Sequence, residues 1–234
     1  LNRIPAPIGP AMPEYFPQVE SVARLCARSI SVREAQVDRQ FEIENTMFAD
    51  STVQDVLGLH YMHGDPATAL DAPFSMVLTD ETALRLFGTT EAMGRQVRVA
   101  NEAVFTVSGV VRRLPRQSHL QIDMLLPYRN IPDVEPASAR PNVRKAMTEN
   151  WLASYNATYV ILKPGTSPDA VNARFAAFIK KFGIPEYSEK QSFSLFKVRD
   201  IHQHSVIADE ISATSNPVYL RVFGIVGFLI LLIA

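Results

Sequence analysis

The stretch Thr158-Tyr-Val-Ile-Leu-Lys-Pro-Gly-Thr-Ser-Pro-Asp-Ala-Val-Asn-Ala-Arg-Phe-Ala-Ala-Phe-Ile-Lys-Lys-Phe-Gly183 decides how the chain is built. Residues 158–162 form a short β-rich run, and Pro164-Gly165 turns it. Ser167 stands at a helix N-cap, with Pro168 at the first helical position and Asp169 beside the positive end of the helix dipole. Val171, Phe175, Phe178, Ile179 and Phe182 then recur at helical spacing until Gly183 closes the run. Phe193-Ser-Leu-Phe-Lys-Val198 reads as a second strand. Strand, helix of about fourteen residues and strand make a βαβ unit, whose crossover is right-handed.

Upstream, residues 11–16 have the makings of a short helical turn. Val19 to Ala27 alternates, with Val19, Ala23 and Leu25 on one side and Glu20 and Arg24 on the other. Phe41, Ile43 and Met47 point inward from a second alternating run. Asp50 is placed to cap a short helix ending at Gly58, and Asp65-Pro66 to start another. The middle of the chain has a different texture. Residues 75–78 read as a strand, and Thr79 caps a helix that carries Ala83, Leu84 and Phe87 inward and stops at Gly88. Residues 96–99 and 104–111 straddle Asn101-Glu102 as a hairpin, and a further strand runs from Ile122 to Leu126. The proline-rich stretch 130–141 reads as a linker or surface loop. Together these imply an α+β protein: βαβ-type units at either end of the sequence flank a middle insertion, giving two subdomains.

The run from Val222 to Ala234 lacks charge and reads as the start of a transmembrane helix, since a full span needs roughly 20 apolar residues. Tyr219 and Arg221 suit the lipid–water boundary before it. A docked core helix is the plainer alternative. Pro5 to Pro10 is a stiff lead-in, and residue 1 follows no signal-peptide pattern. With 23 basic against 24 acidic residues and no basic block, a nucleic-acid footprint is missing. Cys26 is the single cysteine, so no intrachain disulfide forms. His60 with His63, and His202 with His204, have short spacings but no further ligands, so surface imidazoles are the plain reading and no metal or other cofactor is expected. Asp80-Glu81 complements a helix dipole, and Glu42 and Glu44 lie on a solvated strand face. No nucleophile–base set or phosphate cradle emerges, so no catalytic residues are expected.

Several segments, in order, carry a resemblance: 45–50, 64–70, 76–79, Ala83 with Leu86-Phe-Gly88, Met93-Gly-Arg95, 105–110, Leu114-Pro115, Ser118-His119, Asp200-Ile-His202 and Asn216-Pro217. The chain resembles the MacB-like periplasmic core domain of FtsX-type ABC transporter permeases. That resemblance implies a porter-like subdomain from residues 1–72 and 150–206, a smaller α/β subdomain inserted at 73–149, and a connector with the start of a membrane helix at 207–234. It implies a non-catalytic role in the periplasm of a bacterial inner-membrane protein, with cytoplasmic ATP hydrolysis transmitted to a periplasmic conformational change for export or extraction of a substrate. The implied partners are a cytoplasmic ATPase, a second permease copy, the membrane and an adaptor or cargo. Gly88, Gly94 and Gly109 would fix turns or close backbone approach, Leu86-Phe87 would anchor a helix on the hairpin, and Asp200, Ile201 and His202 would form a coupling segment. Gln203 departs from the apolar residue usual after that histidine. A ligand-binding or sensor domain of a membrane-anchored receptor is the alternative, and a membrane-anchored hydrolase lacks its residues.

Overall fold

The computed structural model describes residues 3–34, 39–100, 103–183 and 193–198. In chain order its elements are β1 (Ile4–Pro5), α1 (Ile8–Tyr15), β2 (Val19–Glu34), β3 (Gln40–Ala49), α2 (Val53–Leu57), β4 (Tyr61–His63), β5 (Ser75–Thr79), α3 (Asp80–Phe87), β6 (Gln96–Val99) and β7 (Ala103–Val111). Then follow β8 (Met124–Pro127), a 3-10 helix (Tyr128–Val134), α4 (Arg140–Glu149), β9 (Ser154–Leu162), α5 (Pro168–Asn172) and α6 (Phe175–Phe182).

The strands form one mixed sheet in the order β1-β9-β2-β3-β8-β5-β7-β4, with β6 pairing β2 and β7. The α+β class read from the sequence is what the structure shows. β2 organises it. The strand does not stop at Ala27 but continues through Glu34, about 50 Å of extended chain, with a register shift between Arg28 and Ile30. The first part of β2 pairs with β9, the middle and end with β3, and the tip, Val32 to Glu34, with β6 of the β6–β7 hairpin. β3 is covered on both faces. Thr46, Met47, Phe48 and Ala49 are all buried, and Phe48 and Met47 enter different hydrophobic clusters. Four consecutive buried residues are the mark of a central strand whose neighbour is parallel, and β8 is that neighbour.

Short-range signals match the local structure. Thr79 Oγ accepts the Thr82 N–H at 3.3 Å, and Ser167 Oγ accepts the Asp169 N–H at 3.2 Å. α2 ends at Gly58 and α3 at Gly88, both in the left-handed region.

Several expectations need correction. Asp50 does not cap α2, because its carboxylate is taken by Arg24; the cap position falls to Thr52, whose hydroxyl bonds to the Val22 carbonyl instead. Asp65-Pro66 opens a series of turns rather than a helix. In α3, Ala83 and Leu86 face the sheet, and Leu84 is 51% exposed. Residues 130–141 are no surface linker: Asn130, Ile131 and Pro132 are buried in the 3-10 helix, and α4 begins at Arg140. Finally, the helix expected after Ser167 breaks into α5 and α6 at Ala173-Arg174, where the Arg174 guanidinium lies over the rings of Tyr15 and Phe16.

Residues 193–198, expected as the second strand of the unit around Ser167, join no strand ladder. The Asn172 side chain replaces one: its Oδ1 accepts the Leu195 N–H at 2.7 Å, and its Nδ2 donates to the Leu195 carbonyl at 3.3 Å. A primary amide carries the same donor–acceptor pair as a peptide unit, so one side chain meets the backbone demand that a neighbouring strand would meet. The run from Val222 to Ala234 lies outside the described residues. Among those described, no helix is long and apolar enough to cross a membrane.

Candidate functional site

The carboxyl ends of the two parallel strands β3 and β8 lie side by side, with Ala49 opposite Pro127. The residues that follow each strand, Asp50 and Ser51 on one side and Tyr128 and Arg129 on the other, open into a cavity of about 450 Å³ closed by Arg144, Met147 and Thr148 of α4. An open sheet offers its natural crevice at this place, because loops leaving parallel strands diverge there.

Arg24 forms the floor. It lies on β2, on the face the sequence assigned to solvent, yet its side chain is only 14% exposed. Its Nε donates to Asp50 Oδ2 at 2.8 Å and its Nη2 to Oδ1 at 2.8 Å, a bidentate fork, while its backbone N–H also reaches Oδ2 at 2.9 Å. The guanidinium lies 3.9 Å from the centre of the Tyr128 ring. Burial alone would lower the Arg24 pKa, but the hydrogen bonds and charge of Asp50 outweigh it, and the net direction is upward. Tyr128 is raised mainly by burial, and its hydroxyl donates to Asn156 Oδ1 at 2.6 Å. The floor is therefore fixed, with the charge of Arg24 balanced by Asp50.

Removing one partner of a partly buried ion pair leaves the other without its counter-charge. Asp50→Asn is expected to lower stability by about 2 kcal/mol, below the range for fully buried pairs because both groups keep some contact with water. Urea denaturation of the chain measures this. A loss under about 0.5 kcal/mol would show that the pair contributes no more than a surface one.

The wall is positioned by a chain of hydrogen bonds. The Phe74 N–H donates to Asn130 Oδ1 at 3.0 Å, Asn130 Nδ2 donates to Asp133 Oδ2 at 2.8 Å, and Asp133 Oδ1 lies 3.8 Å from Arg144 Nη2. Phe74 has a φ of 60°, rare for a bulky residue, and Asn130 holds its amide in that conformation.

The other residues singled out by sequence are scattered. Gly88 has a φ of 71° and Gly94 of 76°, and the Gly94 N–H bonds to the Val107 carbonyl. Gly109 lies within β7, where a Cβ would stand 2.9 Å from the Tyr61 ring. Leu86 is buried and Phe87 half-buried against the main core. Asp80 Oδ1 accepts the Arg113 N–H, and Glu81 pairs with Arg113. Glu42 and Glu44 are exposed, as is His60. Cys26 is buried, and burial pushes its thiol up. Among the described residues no group of three or more His, Cys, Asp or Glu is placed to hold a metal ion. Asp200, Ile201, His202 and His204 lie outside the described residues. The cavity itself had one signal in the sequence: basic residues at 129 and 144 flanking the proline-rich stretch.

The model of the MacB-like periplasmic core domain matches residues 2–178. The chain belongs to that family. Among solved structures, a domain assigned to a permease protein of Porphyromonas gingivalis is similar at 24% identity and a TM-score of 0.66, covering 80% of this chain and 81% of that one. The periplasmic region of MacB from Actinobacillus actinomycetemcomitans is similar at 14% identity and a TM-score of 0.59, covering 87% and 83%. The extracellular domain of the ABC-type transporter YknZ from Gram-positive bacteria is similar at 15% identity and a TM-score of 0.51, covering 77% and 84%. At these identities the likeness is one of fold. No curated protein matches the chain. The resemblance carried by the sequence motifs is thus shown, and the chain is a MacB-like periplasmic core domain of the kind found in ABC transporter permeases.

Proposed function

We propose that this MacB-like domain is the non-catalytic, extracytoplasmic part of an ABC transporter permease, and that it turns ATP hydrolysis by a cytoplasmic ATPase into a conformational change that exports or extracts a substrate. The observation that carries this is the family match across residues 2–178. A long β2 that pairs with both the terminal strand β9 and the hairpin strand β6 supports it, because a force applied at one end of the domain would reach the other through a single hydrogen-bonded strand. The division into a porter-like part (1–72 and 150–206) and an insertion (73–149) belongs to the same proposal, as do a second permease copy and a periplasmic adaptor or cargo as partners.

Asp200, Ile201 and His202 are assigned here as the coupling segment between the domain and the membrane helices. The test uses the whole permease with its ATPase in proteoliposomes. Ile201→Ala is expected to cut transport at least tenfold, on the order of 1.4 kcal/mol of coupling, while ATP hydrolysis and the thermal unfolding of the domain stay near wild type. Unchanged transport would remove the segment from the mechanism.

A further inference from the structure

The geometry points to a ligand site that family membership does not assign: we propose that the cavity at the carboxyl ends of β3 and β8 binds a small molecule with an oxyanion head, held by Arg129 and Arg144, and an apolar body lying against Pro132 and Met147. It rests on this cavity alone and not on coupling to ATP hydrolysis.

Charge decides the sign of the ligand. Three guanidinium groups line the cavity, those of Arg24, Arg129 and Arg144, against the single carboxylate of Asp50. The chain as a whole carries a net charge of −1, so this concentration of positive charge is local. Arg24 and Asp50 cancel through their bidentate fork. That fork also bars an incoming acid from the floor, because Asp50 would repel it. Arg129 has no ion-pair partner among the described residues, and Arg144 has only Asp133, at 3.8 Å. An acid group is thus directed to the rim, where two planar guanidinium forks can grip a carboxylate or phosphate.

Shape decides the rest. A cavity of about 450 Å³ lies within the range of small-molecule sites. Pro132 in the 3-10 helix and Met147 against the main core are fixed from behind, so the narrow apolar strip they offer is formed before any ligand arrives. Asp133, which approaches Arg144, is itself fixed through Asn130 to the backbone of Phe74.

The probes are 2-naphthoate, 2-naphthyl phosphate and neutral 2-naphthamide, titrated into the full chain and followed by the methyl signal of Met147. Binding of either acid, with the amide at least about tenfold weaker, is the expected result. Whichever acid binds more tightly then separates a carboxylate ligand from a phosphate one. Both Arg129 and Arg144 are exposed, so Arg129→Ala and Arg144→Ala should each fold normally and weaken the acids about tenfold. Thr148→Trp, also at an exposed position, should block the cavity and abolish the response. Silence of Met147 up to about 5 mM of both acids, an affinity too weak for a built site, overturns the proposal. So does equal binding of the amide, or binding unchanged in both arginine variants.

Discussion

Replacing Phe178 with alanine is expected to lower folding stability by about 4 kcal/mol and the Tm by about 10 °C. Phe178 is fully buried, and its ring meets those of Tyr15, Phe16, Trp151, Phe175 and Phe182 at centroid distances between 5.3 and 6.3 Å. These rings come from α1, the loop after it, the segment before β9, and α6, so removing one ring opens a void that no single neighbour can fill. The loss combines the transfer of the side chain with the uncollapsed cavity. Phe178→Leu keeps most of the volume and should cost less than about 1.5 kcal/mol. Urea denaturation of both variants provides the check. Equal costs for the two would mean that shape at this position does not matter.

Gly64→Ala should come next, at about 3 kcal/mol. Gly64 has a φ of 90°, outside the region that L-residues adopt readily. A Cβ there would also press on the Ser108 carbonyl and stand 2.9 Å from the Gly109 Cα, and both are backbone that cannot swing aside. The contact matters because Ser108 ties the following turns to the sheet. Its Oγ donates to the Ala69 carbonyl at 2.6 Å and accepts the Met76 N–H at 3.2 Å. Displacing β4 from β7 would therefore loosen residues 64–76 together. Gly58, also at positive φ, has open space around its Cβ position, so Gly58→Ala should cost only the backbone term, about 1 kcal/mol. Equal losses at the two glycines would sink the steric account.

The candidate site was only partly legible in the sequence. Asp50 was recognisable as a side chain that bonds to backbone amides, and a cap was the nearest use for it. Its true partner, Arg24, lies 26 residues earlier, and nothing local reports a pairing across β2 and β3. Arg24 itself fits the polar phase of an alternating strand. That phase assumes one wet face, whereas the face of β2 carrying Arg24 is covered by α1 and by Tyr128. Residues 128–149 were harder still, because prolines signal irregular chain without saying whether it is exposed. Asn130 is buried and the stretch ordered only because its amide finds Phe74 and Asp133.

What the sequence determined by itself were the features set within a few residues: the caps at Thr79 and Ser167, the stops at Gly58 and Gly88, the hairpin from 96 to 111, and the common buried side of Ala23 and Leu25, from which a register shift at Ser21 separates Val19. Its motif order also determined the family. Only the tertiary structure decided that β2 serves both ends of the domain, that β3 and β8 run parallel, and that residues 193–198 lean on Asn172 instead of joining the sheet. Caps and periodicity are settled by neighbours along the chain. Strand partners and the burial of a charge are settled by surfaces that meet only after the chain has folded, and their energies depend on groups dozens of residues apart.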